Sequence, residues 1–354
     1  MKHLRIGGRS IGSGFPAYVV AEISANHGKS FDKAVEIIKA AKDAGADAVK
    51  IQTYTPGTIT MDCDNKYFRV KGTIWEGKNL YKLYGEAYTP WEWQPKLKKI
   101  ADKLKIDLFS TPFDFSSVDF LEKMNVPAYK IASFELVDIP LIRKVARLGK
   151  PVIMSTGMAT LQEIREAVNA VKSENNNQIA LLKCTSEYPA DPNDMNLRTI
   201  PDMRKRFGTV VGLSDHTLGI AASVAAVALG ACIIEKHLTL SRKEPGPDSS
   251  FSLEPSELKE LVGEVRTVEA ALGKISYSFS EKEKSTRVFR RSLFVVKDIE
   301  KGEKLTVDNI RSIRPGYGLP PKLYSKVIGR TASRHISRGT PLKNSMLGPR
   351  SAAK

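Results

Sequence analysis

The chain is 354 residues long, with 55 Lys+Arg against 39 Asp+Glu, 42% hydrophobic residues and 3 Cys. That apolar content excludes an intrinsically disordered chain, the few cysteines exclude a disulfide scaffold, and no apolar run approaches the about 18 residues of a membrane span. Residues 285–354 hold 16 of the basic and 4 of the acidic residues, so +12 of the net +16 lies there, which raises a polyanion-binding surface, nucleic acid or anionic membrane, as one reading of that segment.

The N-terminal MKHLRIGGRSIGSG lacks the apolar core and small-residue cleavage site of a secretion signal, so a cytoplasmic location is expected. Cys63, Cys184 and Cys232 are widely spaced, odd in number and free of any CxxC, as in a protein with free thiols in a reducing compartment. From there, short apolar, β-branched runs recur in chain order: AYVVAEIS, DAVKIQTY, IDLFSTP, PAYKIAS, PVIMSTG, IALLKCTS, VVGLSDH and CIIEKHLT. Helical patterns alternate with them. Ser30 is placed to cap a helix whose stripe is Ala34, Ile37, Ile38 and Ala41, with Gly45 at its left-handed stop. Thr160 and Glu163 have capping-box spacing, and Pro255 suits the first turn of a helix that turns Leu258, Leu261, Val262 and Val265 inward.

Eight near-continuous apolar strands alternating with helices predict a parallel sheet covered on both faces and closed into an α/β, (β/α)8 TIM barrel over residues 1–280. One irregularity interrupts it. About fifty residues separate the second and third strand candidates and contain all three Trp, Trp75, Trp91 and Trp93; so long a loop in a compact domain is usually functional. Residues 281–290 read as a polar linker, and 291–354, short β-like runs between Gly and Pro turns, as a small, mostly β domain.

Barrel enzymes place their chemistry at the C-terminal ends of the strands. Here those ends carry Glu22, Lys50 and Gln52, Ser110 and Thr111, Lys130 and Ser133, Ser155 and Thr156, Thr185 and Ser186, Ser214 and His216, Glu235 and His237. Strand side chains alternate, so Lys50 with Gln52, Ser214 with His216, and Glu235 with His237 each share a face. His216 and His237 end neighbouring strands, so their imidazoles either converge on a divalent ion such as Mn²⁺ or are merely hydrogen-bonded. Lys50 and Lys130, among the hydroxyls of Thr111, Ser133, Ser155 and Ser214, make a pocket suited to a phosphate and a carboxylate, with a Schiff base to one lysine as the competing use. No phosphate-binding glycine loop follows any strand, so nucleotide binding has no support.

With these residues in place, the chain resembles the sialic-acid synthase family through AEISANH, GADAVKIQTY, FSTPFD, YKIAS, MSTGM, LLKCTSEYP, GLSDHTLG, IEKHLTL and GPDSSFSLEP, with a C-terminal segment similar to that family's antifreeze-like (SAF) domain. The resemblance implies a PEP-dependent, C–C bond-forming transferase that condenses phosphoenolpyruvate (PEP) with an N-acetylated amino sugar. It implies His216 and His237 as metal ligands, with Mn²⁺ the indicated ion and Mg²⁺ or Co²⁺ as others. Lys50, Thr111, Lys130, Ser133, Ser155, Ser186 and Ser214 fall on PEP-contacting positions; at Ser186 neuraminate synthases more usually carry Asn. Glu22 matches the acid/base carboxylate, and Lys50, Lys130, His216 and His237 join it in catalysis. Gln52, Tyr188 and Asp248 match the sugar site, and Arg314 matches an arginine that reaches a neighbouring subunit's barrel in a domain-swapped homodimer.

The insertion GTIWEGKNLYKLYGEAYTPWEW is similar to the pseudaminic-acid-forming branch, which implies a 2,4-diacetamido-2,4,6-trideoxy hexose as substrate. Aromatic side chains suit its added apolar surface, although each equally well staples the loop to the barrel. A neuraminate, legionaminate or spore-coat polysaccharide synthase is the alternative within the family. A nucleic-acid-binding protein and a non-catalytic sugar-binding barrel are the alternatives outside it. The first does not account for eight polar strand ends, the second has no need of two lysines, two histidines and an acid together, and no nucleic-acid or membrane partner is expected.

Overall fold

A computed structural model of the chain describes residues 3–72, 75–244 and 246–350. Thr73 and Ile74 of the insertion, and the last four residues of the expected SAF domain, lie outside the described residues. The chain divides into two compact units, Met1–Gly273 and Lys274–Lys354.

The first unit opens with an antiparallel hairpin, β1 (His3–Ile6) and β2 (Arg9–Gly12), to which the sequence reading assigns no element. Gly7 and Gly8 make its turn at φ +54° and +90°, and a Cβ at Gly7 would collide with the Asp107 carboxylate. The hairpin buries Leu4, Ile6 and Ile11 in the main core, while Arg9 pairs with Asp47 at the foot of a barrel strand. It thereby lies against the N-terminal ends of the strands and leaves the other end for chemistry.

The barrel is closed and parallel as expected: β3 (Tyr18–Glu22), β4 (Ala48–Thr53), β5 (Asp107–Pro112), β6 (Tyr129–Ile131), β7 (Val152–Ser155), β8 (Ile179–Cys184), β9 (Val210–Asp215) and β10 (Ile233–His237), with β10 returning to β3. Burial on both faces explains why these runs are apolar without alternation. Around them lie α1 (Phe31–Asp43), α2 (Pro56–Ile59), α3 (Leu80–Ala87), α4 (Gln94–Leu104), α5 (Phe115–Lys123), α6 (Ile139–Ala146), α7 (Leu161–Ser173), α8 (Thr199–Phe207), α9 (Ala221–Ala228) and α10 (Pro255–Leu272). Ser30 caps α1, whose buried residues are Ala34, Ile37, Ile38 and Ala41. Thr160 and Glu163 form a reciprocal capping box on α7. In α10, Leu258, Leu261 and Val265 are buried, whereas Val262 is only partly buried, against the core. Among the described residues no helix is long and apolar enough to cross a membrane.

The second unit pairs β11 (Ser292–Val295) with β12 (Ile310–Ile313), and β13 (Arg330–Ala332) with β14 (Leu347–Arg350), over a core that includes Leu293, Val295, Ile299, Leu305 and Ile310. The stretch 281–290, read as a linker, carries a helix at Glu281–Thr286, because Ser280 and Glu283 satisfy each other's first-turn amides in a capping box.

Candidate active site

Strand register sets the site. Glu22 stands opposite Lys50 on one side and His237 on the other, while Glu235 stands opposite Ser214. Side-chain alternation then turns Lys50, Gln52, Ser214, His216, Glu235 and His237 into one cleft of about 470 Å³ at the C-terminal ends of the strands. Thr111, Lys130, Ser133, Ser155, Tyr188 and Asp248 line the same cleft.

Its floor is charged. Lys50 Nζ lies 2.6 Å from Glu22 Oε2 and donates to Thr111 Oγ1 at 3.3 Å, and Lys130 Nζ donates to Ser155 Oγ at 2.6 Å. Both lysines stand 3.6 Å from the same Glu235 oxygen, which also accepts from Ser214 Oγ at 3.2 Å. Burial works against the charge on Lys50, yet Glu22 and Glu235 outweigh it and raise its pKa; Lys130 is lowered by burial and by Lys50. Burial raises Glu22, against the pull of Lys50, whereas burial of Glu235 is overcome by Lys130 and Lys50, and its pKa falls. Two buried lysines, balanced by Glu22 and Glu235 at 2.6 and 3.6 Å, put ammonium donors on the cleft floor that a phosphate or carboxylate can share.

Glu22 itself is only 1% exposed and sits behind this floor, where it also accepts from Gln52 Nε2 at 3.1 Å; Gln52 in turn donates to Ser24 Oγ at 3.0 Å. Ser133 accepts from the Gly157 amide at 3.1 Å. A Cβ at Gly157 would lie 2.2 Å from Ser186 Oγ and 2.8 Å from Ser133 Oγ, so a glycine there brings the loop against both hydroxyls. Ser186 borders the floor, 3.9 Å from Cys184 Sγ.

The two imidazoles meet above the floor, ring centroids 5.3 Å apart. His216 Nδ1 is 2.9 Å from the Thr185 carbonyl, a contact that assigns a proton to Nδ1; burial works against charge on the ring, but Cys184 and that carbonyl outweigh it and raise its pKa, so an ion at Nε2 would displace a proton. His237 Nδ1 is buried with no hydrogen-bond partner among the described residues, 3.9 Å from Asp248 Oδ2. Burial and the neighbouring His216 hold its pKa well below the usual histidine value, so the ring is neutral. A neutral, orphaned imidazole beside a second whose Nδ1 is already engaged and whose Nε2 is left for a ligand fits a divalent ion. Among the described residues, no group of three or more His, Cys, Asp or Glu is arranged to hold a metal. Tyr188 stacks 4.4 Å from His216, and Asp248, its pKa raised by burial, accepts from the Ala25 amide at 3.4 Å.

Opposite the floor stands an apolar wall. The insertion supplies Ile59, Val70, Trp75, Leu80, Leu83 and Tyr84, and Tyr54 and Phe113 join from the ends of β4 and β5. The three tryptophans divide their work. Trp75 faces the cleft, packs 5.6 Å from Tyr188 and donates to the Pro247 carbonyl at 3.1 Å. Trp91 donates to the Tyr54 carbonyl and stacks on Phe120, while Trp93 packs on His27 and Phe31, so these two fasten the loop. His27 is a structural residue: it contacts Thr89 Oγ1 at 3.1 Å, and burial lowers its pKa to about 4.

Glu135 is the residue that sequence reasoning missed. It lines the cleft with Oε2 buried and unpartnered among the described residues, and burial pushes its pKa up to about 7. A carboxyl within five residues of a strand's C-terminal end, in YKIASFE, is the signal that points to it. Cys184 also lines the cleft, 3.9 Å from His216 Nδ1. Arg314 belongs to the second unit, exposed in the loop directly after β12.

The signature of the NeuB family matches residues 37–277, and that of the SAF domain matches residues 290–348. The chain belongs to the NeuB family. As a NeuB-family protein it is 46% identical to the pseudaminic acid synthase of Campylobacter jejuni, over 92% of this chain and 95% of that one. It is 44% identical to the pseudaminic acid synthase of Helicobacter pylori, over 92% and 96%. Among solved structures, the spore coat polysaccharide biosynthesis protein SpsE of Bacillus subtilis superposes with a TM-score of 0.67 at 34% identity, covering 98% of this chain and 99% of that one.

Proposed function

We propose that this NeuB-family chain condenses PEP with the open-chain form of 2,4-diacetamido-2,4,6-trideoxy-altropyranose, giving pseudaminate and phosphate. One observation carries the reading: a single cleft joins a floor of two buried lysines and hydroxyls, matched to phosphate and carboxylate, to an apolar wall matched to a deoxy, diacetamido sugar. The similarity to two pseudaminic acid synthases supports the same substrate.

In this mechanism Lys50, Lys130, Thr111, Ser133, Ser155, Ser186 and Ser214 hold PEP, and Gln52, Tyr188 and Asp248 orient the sugar. His216 and His237 would hold a divalent ion, Mn²⁺ by the family resemblance, which would supply Lewis-acid polarisation of the aldehyde. PEP C3 bonds to the aldehyde carbon, whose oxygen takes up a proton; Glu135, titrating near neutrality in the same cleft, is suited to deliver it. Water then adds at PEP C2 and gives its proton to Glu22. The C2–O bond to phosphate breaks as the C2 hydroxyl passes its proton to the departing phosphate, leaving the 2-oxo acid and inorganic phosphate, while Lys50 and Lys130 hold the developing charge. Burial removes competing water from these groups and strengthens each contact. The active assembly is a domain-swapped homodimer in which the partner subunit's Arg314 caps the cleft.

The test is phosphate release from PEP with Mn²⁺ against a panel of N-acetylmannosamine, the 2,4-diacetamido-trideoxy sugars and no sugar. Turnover confined to the altrose-configured sugar is expected; equal turnover of N-acetylmannosamine overturns the substrate assignment, and none with any sugar overturns the reaction.

A further inference from the structure

Two fully buried charges take no part in the cleft. Asp215 on β9 and Lys236 on β10 face each other across the strand register and are each 1% exposed. Alternation turns both outward, toward the helices, because their neighbours Ser214, His216, Glu235 and His237 point into the cleft. Lys236 Nζ lies 2.9 Å from Asp215 Oδ2 and also donates to the Thr217 carbonyl. Asp215 Oδ1 accepts from the Thr217 amide at 2.9 Å and from its hydroxyl at 2.8 Å, and Oδ2 accepts from Ser223 in the first turn of α9 at 2.6 Å.

A buried ion pair is a weak device for stability, since removing two charges from water offsets most of their attraction and an apolar pair of similar volume often serves as well. What it does supply is fixed geometry. Asp215 and Thr217 bracket His216 on both sides, and Lys236 adjoins His237, so the network ties the backbone at both imidazoles into one block. The Thr185 carbonyl and Tyr188 set the ring of His216, while this block, together with the Ser214–Glu235 hydrogen bond on the cleft face, joins the two strands next to the two histidines.

We infer that the Asp215–Lys236 pair is a positioning device that holds His216 and His237 at the spacing a shared divalent ion requires. The inference rests on the proposed metal role of those histidines. The test is Mn²⁺ binding, read from the free-ion electron paramagnetic resonance signal, in wild type and in an Asp215→Asn/Lys236→Met double variant. The amide keeps an acceptor for Thr217 and Met keeps the volume of Lys, so both charges go while the packing stays. The expected double variant melts within a few degrees of wild type and binds PEP equally well without metal, but binds Mn²⁺ at least about tenfold more weakly, the scale seen when outer-shell partners of metal ligands are removed. Unchanged Mn²⁺ affinity overturns the positioning role and leaves the proposed function standing. No Mn²⁺ binding by wild type overturns both. If the double variant fails to fold, Ser223→Ala removes one anchor of Asp215 without stranding a charge; about threefold weaker Mn²⁺ binding is expected, and wild-type affinity overturns the inference.

Discussion

Lys130 makes a 2.6 Å hydrogen bond to Ser155 and approaches Glu235, with 2% of its surface exposed, so no solvent ion substitutes for it. Lys130→Met is expected to lower kcat/KM for PEP by about 10²-fold or more in steady-state phosphate release, the scale of losing one preorganised charge contact. Glu135 makes a prediction in pH. Its carboxyl titrates at about 7 in the fold against 4.5 in the free side chain. Between those values the folded protein binds the extra proton, so stability falls as pH rises from about 4.5 through about 7. Glu135→Gln removes the effect, and its melting temperature should gain on wild type by about 2–4 °C between pH 5 and pH 8, as followed by circular dichroism. No gain refutes the assignment. At this scale the strand-end residues were legible because β-strands alternate strictly; Glu135 was not, because a loop has no period to say which way a side chain turns.

The insertion is the element that separates this barrel from a plain one, and its parts answer differently to substitution. Trp75→Ala is expected to raise the KM for the sugar about tenfold while the KM for PEP stays within twofold, because the indole is part of the apolar wall and not of the lysine floor. Trp91→Ala instead should lower the melting temperature, by about 2 kcal/mol of stability, through loss of the Phe120 stacking and the Tyr54 hydrogen bond. Composition marks all three tryptophans alike. Their separate tasks depend on where the loop crosses the barrel mouth, which is settled by contacts distant in sequence such as Trp75 with Pro247.

For the whole molecule, most of the +12 carried by residues 285–354 falls within the SAF domain, where residues 290–348 hold 13 basic and 4 acidic residues. Arg314 is one of those charges. If it acts in a neighbouring barrel, Arg314→Ala and Lys130→Ala are each inactive alone, while co-expression yields mixed dimers with one intact site. Random pairing predicts about a quarter of wild-type activity in the mixture, measured as phosphate release; no recovery refutes the exchange between subunits.

The amino-acid sequence by itself determined the barrel, the polar ring at its mouth and the family, because 2.0- and 3.6-residue periods, capping residues and motif order are local properties of the chain. Only the tertiary structure decided which charges share a partner, that Trp75 alone of the three tryptophans faces the cleft, that one Glu135 carboxyl oxygen is buried without a partner among the described residues, and that Asp215 and Lys236 lock together behind the histidines. Those outcomes turn on desolvation and on distances between strands far apart in sequence, which no local pattern encodes.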